Sequence, residues 1–178
     1  MVGTMNTNKP ALISASRLCL RALTMDDKEN VCAILKNEQI AKTYMMPDFE
    51  NEEAVIKLFE AFLRLSQAPD RFVYGIALDG KIIGLLNETA KSEDEMELGY
   101  LIHPAHWGNG YATEALGACI KALFDMGYQR VAAGYFEENI ASGRVMEKCG
   151  MVATGGTEEI EYRGKKHRVI LCQIQKRE

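Results

Sequence analysis

The chain has 178 residues, 47% of them hydrophobic and 26% charged, with a formal net charge of −4 at pH 7. That length suits one domain with a substantial core, and the composition suits a globular one. The acidic balance argues against a nucleic-acid surface, and no apolar run approaches the ~20 residues that a membrane span needs. Five cysteines stand singly, at Cys19, Cys32, Cys119, Cys149 and Cys172. The odd count and the absence of a C-x-x-C favour reduced thiols in a cytoplasmic protein over disulfides or a metal site. Residues 1–10 are polar and read as a flexible N-terminal tail rather than a signal peptide. Residues 11–178 then form a single domain.

Ser16 to Ala22 alternates apolar and polar residues, as a strand with one buried face does. Thr24 is an N-cap for a helix with Asp26 and Asp27 in its first turn and Val31, Ile34 and Leu35 facing inward. Residues 43–48 contain Pro47 and read as a loop. Glu52 to Leu65 follows as an amphipathic helix through Ala54, Val55, Leu58, Phe62 and Leu65. Arg71 to Leu78 and Lys81 to Glu88 are strands joined by Asp79-Gly80, a strong hairpin signal. A charged turn then leads into Glu97 to Ile102, a strand that Pro104 stops. Beyond Gly110, Ala112, Ala115, Leu116, Cys119, Ile120 and Leu123 recur at helical spacing. Gly127 caps that helix, and Arg130 to Phe136 is another strand. Asn139 and Gly150 are the N-cap and C′ residues of a short helix. Met151 to Thr154, Glu158 to Tyr162 and Arg168 to Gln175 are strands, the last two turning at Arg163-Gly164. The basic run from Arg163 to Arg168 reads as a solvated hairpin tip. The order is that of a mixed α/β (α+β) protein with a largely antiparallel sheet.

Chemistry concentrates between Glu97 and Ala115. A strand feeding a helix through small residues leaves several N–H groups at the helix start unpaired, which suits a phosphate or pyrophosphate. Gly108 and Gly110 let the backbone approach an oxygen closely. Neither the G-x-G-x-x-G fingerprint nor the P-loop is present. Period-two alternation puts Glu97, Gly99, Leu101 and His103 on one face of the strand. Glu97 is either a general base or a structural carboxylate, and His103 and His106 are either proton shuttles or loop histidines. Ser142 lies one turn into the helix that Asn139 begins, where a serine can serve as a cap. No serine or cysteine sits with a base at triad-like spacing, so a covalent intermediate is not implied.

These residues carry a resemblance. Trp107-Gly108-Asn109-Gly110-Tyr111-Ala112 is similar to the R/Q-x-x-G-x-G/A pyrophosphate loop of the GNAT N-acetyltransferases. The longer W-G-x-G-Y-A-T-E-A resembles the branch of the ribosomal-protein N-terminal (RimJ/RimL-like) and spermidine acetyltransferases, where tryptophan is usual at the first position. The segment N-x-x-S…E-K-x-G from Asn139 is similar to the family's second block. The resemblance implies the GNAT fold, a mixed and mostly antiparallel sheet with a splayed central strand pair and flanking helices. It implies acetyl-CoA as co-substrate, with no metal. The loop from Trp107 through Gly108, Asn109, Gly110, Tyr111 and Ala112 to Thr113 would hold the pyrophosphate. Leu101, Ile102 and His103 would offer main-chain bonds to the acetyl group and pantetheine, and Asn139 and Ser142 would meet the pantetheine arm. Many members place the thiolate-protonating tyrosine where Met146 stands, whereas the N-terminal acetyltransferase branch nominates Ser142. The helical excursion after the first strand would wall the acceptor site with Tyr44, Met45 and Phe49, unless they are core. The activity implied is direct acetyl transfer to a primary amine, on a protein N-terminus or a small molecule. A catalytically silent acyl-CoA-binding regulator is the alternative, and a Rossmann-type nucleotide binder is disfavoured by the hairpin of residues 71–88. The expected partners are acetyl-CoA and an amine acceptor, without nucleic acid or membrane, and a homodimer is compatible with the sequence.

Overall fold

A computed structural model describes residues 8–177. In order run β1 (Leu12–Ser14), β2 (Leu18–Arg21), α1 (Lys28–Leu35), α2 (Glu38–Ala41), α3 (Glu52–Gln67), β3 (Val73–Leu78), β4 (Lys81–Lys91) and β5 (Glu95–Ile102). They are followed by α4 (Tyr111–Met126), β6 (Arg130–Phe136), α5 (Ile140–Lys148), β7 (Val152–Tyr162) and β8 (Lys165–Gln175). The eight strands make one sheet in the order β1-β2-β3-β4-β5-β6-β8-β7. Every pairing is antiparallel except that of β5 with β6. The expected class, mixed α/β with a largely antiparallel sheet, is the one observed.

Alternation along β5 explains how the sheet holds two cores. Met96, Leu98 and Ile102 join the cluster under α4, with Leu116, Cys119 and Leu123. Leu101 points the other way, into the cluster that includes Val31, Leu35, Val55 and Phe59 from α1 and α3. Helices therefore cover both faces, and β5 runs through the middle with neither face free. Asp79 at φ 49° and Gly80 at φ 83° form the tight turn that joins β3 to β4, as the Asp-Gly pair required.

Three features differ from expectation. Lys9 and Pro10 are not a loose tail: Lys9 Nζ donates to the carbonyls of Ser66 and Val73, and the Tyr74 hydroxyl donates to Pro10 O at 2.6 Å. The rest of the expected tail, residues 1–7, lies outside the described residues. The two strands expected after Gly150 are one strand, β7, whose register with β8 shifts between Ala153 and Thr157. Gly155, at φ 80°, absorbs that bulge. The hairpin tip is only partly solvated, because His167 is 8% exposed and stacks on Phe136 with ring centroids 4.4 Å apart.

Candidate functional site

β5 and β6 are parallel partners only at Glu95↔Arg130, Met96↔Val131 and Glu97↔Ala132. Beyond that they diverge, β5 staying on β4 and β6 on β8. The divergence opens a cleft of about 500 Å³, lined from both faces of the sheet. On β5, His103 N–H donates to Ile83 O at 2.8 Å and so faces β4. By alternation Leu101 faces β4 as well, while the Tyr100 and Ile102 amides face the cleft. This corrects the expectation for His103 and Leu101, whose N–H groups are engaged in the ladder. It leaves Ile102 N–H directed into the splay. Ile102 O is taken by the Trp107 indole, whose Nε1 donates to it at 2.7 Å.

The loop after β5 is a single 3-10 turn, Pro104–His106, then Trp107 to Gly110. Asn109 Nδ2 donates to the carbonyls of His106 and Trp107, fixing the curve. Gly110, at φ 78°, starts α4, and a Cβ there would find only Arg17 Nη2, at 3.6 Å. Gly108, at φ 76°, has open space where a Cβ would stand. The first-turn N–H groups of Tyr111, Ala112 and Thr113 point out of the helix start toward this space. The loop is braced from β2. Glu114 accepts from the backbone N–H groups of Arg17 and Leu18 and from Arg17 Nε. Burial alone would raise the Glu114 carboxyl, but these Arg17 and Leu18 donors outweigh it and hold the pKa below the usual range. The Arg17 guanidinium also lies over the Tyr111 ring, 4.6 Å from its centroid. Two further cations, Arg144 and Lys148, line the same cleft from α5.

Across the cleft, Asn139 caps α5 through Oδ1, which accepts from Ser142 N–H. Capping is thus done by Asn139, and the Ser142 side chain is free for other work. Its Oγ lies 2.9 Å from the Tyr100 hydroxyl. Met146 is 1% exposed and belongs to the core beneath. Gly143 brings α5 close to β6, since a Cβ there would lie 2.8 Å from the Tyr135 ring.

On the opposite face stand Glu97, Gly99, Tyr44 and Asn87. The Tyr44 hydroxyl donates to Asn87 Oδ1 at 3.0 Å and sits 2.9 Å from where a Gly99 Cβ would be. Burial raises the Tyr44 phenol above its usual range, the Asn87 bond offsetting part of the rise. Glu97 Oε1 accepts from the Thr89 hydroxyl at 2.7 Å. The cleft wall begins one residue further on, at Leu98. The hairpin β7–β8 closes this side. Tyr162 donates to Ala41 O at 2.8 Å and accepts from Met46 N–H at 3.1 Å, while Arg163 pairs with Glu38 and Asp48.

The structure therefore gathers Ile102, Trp107, Gly108, Gly110, Tyr111, Ala112, Thr113, Asn139 and Ser142 around one cleft, with His106 and Tyr44 on its wall. Glu97 lies beside it. Met45 is 51% exposed, and Phe49 packs against the α1–α3 cluster, so neither lines the cleft. Sequence reasoning missed Tyr100, Tyr135, Arg144 and Lys148. The spacing of four between the last two was the available signal, since it puts both on one helical face. Among the described residues no group of three His, Cys, Asp or Glu could hold a metal ion.

Residues 17–152 match the family described as acetyltransferase (GNAT) domain. A protein of Bacillus subtilis (strain 168), named as the uncharacterized N-acetyltransferase YoaA, is 30% identical over 156 residues, 85% of this chain and 88% of its own. Among solved structures, a GNAT-family acetyltransferase from Bacillus anthracis superposes with a TM-score of 0.80 at 24% identity, over 92% of this chain and 98% of its own. The ribosomal L7/L12 alpha-N-protein acetyltransferase RimL, in complex with coenzyme A, superposes with a TM-score of 0.81 at 21% identity, over 92% and 97%.

Proposed function

The chain belongs to the GNAT acetyltransferase family, and from that premise we propose that it transfers the acetyl group of acetyl-CoA directly to a primary amine. The observation that carries the reading is the splay of β5 from β6 beside an unpaired helix start. A parallel pair that ends after three residues leaves main-chain donors free for a thioester carbonyl. Tyr100 and Ile102 N–H are the donors the alternation directs there. The N–H groups of Tyr111, Ala112 and Thr113 suit the pyrophosphate, and Arg144 and Lys148 add charge on the cleft wall. The two substrates approach from opposite faces of the sheet, which holds amine and thioester in line without a covalent intermediate.

Glu97 and Ser142 have the acid–base roles in this reading. Glu97, on the acceptor face, takes the proton that the attacking nitrogen must lose, through a water. Ser142, on the coenzyme face, protonates the departing sulfur. The acceptor is a protein N-terminus or a small-molecule amine, and the W-G-x-G-Y-A-T-E-A stretch supports the RimJ/RimL-like branch. Free cysteines support a cytoplasmic setting. Thiol release from acetyl-CoA with a panel of peptides, polyamines and amino acids tests the proposal. Tight acetyl-CoA binding with no release to any amine would leave a silent acyl-CoA-binding regulator, the reading that Met146 in place of tyrosine favours.

A further inference from the structure

We infer that Tyr100 is a positioning residue for the transfer step: its hydroxyl donates to Ser142 Oγ and aims the serine's own proton at the departing sulfur. The inference rests on the proposed role of Ser142 and assigns a second residue to it. Tyr100 stands on the face of β5 that also carries Leu98 and Ile102, yet it does not end in the core as they do. Its hydroxyl crosses the splay to the first turn of α5, 2.9 Å from Ser142 Oγ and 3.3 Å from Ser142 O. This side-chain hydrogen bond joins the two walls of the cleft at this point.

A phenol has one proton to give, so two arrangements compete. In the first, Tyr100 donates to the Ser142 carbonyl and accepts the serine proton, which leaves Ser142 nothing to offer a ligand. In the second, Tyr100 donates to Ser142 Oγ across the shorter distance, and the serine proton turns into the cleft. Only the second supports proton donation, and it also stabilises charge developing on Oγ as the proton departs. Burial raises the Tyr100 phenol above its usual range, opposed in part by the Ser142 bond, so it stays a donor at neutral pH. Met146, one turn along α5, is buried and has no proton to give.

In the step, nitrogen bonds to the carbonyl carbon, and the C–S bond breaks with its electron pair on sulfur. Ser142 passes its hydroxyl proton to that sulfur and recovers one from water. The proton shed by nitrogen leaves to water through the base, and Tyr100 keeps its proton throughout.

The test is a double-mutant cycle of Tyr100→Phe and Ser142→Ala, read as kcat, KM and the solvent deuterium isotope effect. Tyr100→Phe should lower kcat about tenfold, the loss of one hydrogen bond, with acetyl-CoA affinity by calorimetry within about twofold of wild type. In the Ser142→Ala background the same change should cost nothing further, and should leave the solvent isotope effect on kcat where Ser142→Ala alone has put it. An equal tenfold loss in both backgrounds would show that Tyr100 does not act through Ser142 and overturn the inference. So would a loss of coenzyme affinity with kcat retained, which would make Tyr100 a strut. Ser142→Ala at the wild-type rate would sink the serine reading itself. A slow Ser142→Ala beside a wild-type Tyr100→Phe would sink the tyrosine alone.

Discussion

Gly99→Ala offers a sharp test of the acceptor face. The added Cβ would stand 2.9 Å from Tyr44 Oη, 3.1 Å from Thr89 Cγ2 and 3.3 Å from Tyr44 Cε2. Relief requires the phenol to shift by several tenths of an ångström, which stretches its 3.0 Å bond to Asn87 Oδ1. Overpacking costs about 1–3 kcal/mol and the lost hydrogen bond about 1 kcal/mol. Replacing a strand glycine by alanine returns about 0.5 kcal/mol through the unfolded chain. The net is a destabilisation of about 2 kcal/mol, or a fall in Tm of about 4–8 °C for a chain of this size. Urea unfolding should show a lower midpoint at constant slope. Steady-state kinetics should show a KM for the amine raised about tenfold, because about 1.4 kcal/mol of acceptor contact goes with the displaced ring. Acetyl-CoA affinity should hold, since the proposed coenzyme site lies on the other face. In a Tyr44→Phe background the atom at 2.9 Å is gone, and Gly99→Ala should cost only about 1 kcal/mol. A wild-type midpoint and acceptor KM for Gly99→Ala, or the same cost in both backgrounds, would refute the reasoning.

Gly110→Val places a branched side chain at φ 78°, where the backbone should meet pyrophosphate; calorimetry should show acetyl-CoA affinity down at least about tenfold in a folded protein. Glu97→Gln keeps shape and removes basicity, so kcat should drop on the order of a hundredfold and the acidic limb of the rate profile should flatten while coenzyme binding survives. Retention of both rate and profile would move the base elsewhere, with His106 on the cleft wall the next to test. Lys9 is pushed down to about 8 by burial, with Glu88 pulling the other way, against an ordinary value of 10.5. The unfolded chain therefore binds more protons between those values, so the stability of wild type relative to Lys9→Met should rise with pH from about 8 to 10.5 and be flat below. A Tm difference that falls over that range would contradict the burial of this ammonium.

Much of the proposed coenzyme half was legible as local structure because its geometry is local. Pro104, Gly108 and Gly110 dictate the turn out of β5, and Asn139 and Gly150 bracket α5 whatever surrounds them. The alternation Glu97, Gly99, Leu101 correctly sorted β5 into two faces. The expected main-chain role of His103 failed for a reason alternation alone does not supply: which parity faces the cleft depends on the register with β4. Tyr100 read as strand bulk, since its hydroxyl acquires meaning only once α5 is docked 42 residues later. The acceptor wall was the least legible part. Tyr44 reaches Asn87 and Tyr162 reaches Ala41, contacts 43 and 121 residues apart that no local pattern announces. β1, three residues long, and α2, four, are too short to show a period.

The sheet order has a consequence for how the protein comes into being. β2 to β5 each lie beside the strand made just before them, so this half can assemble as it leaves the ribosome. β6 cannot finish in that way, because β8 is inserted between it and β7 and begins only 29 residues after β6 ends. Until then β6 holds β5 by three register pairs alone, and the Tyr162 and Arg163 fastenings over the acceptor side do not yet exist. The motifs of the proposed coenzyme site are thus translated well before the cleft can be finished. A nascent chain carrying every one of them is still not an enzyme, and folding waits on the last strand to be made, β8.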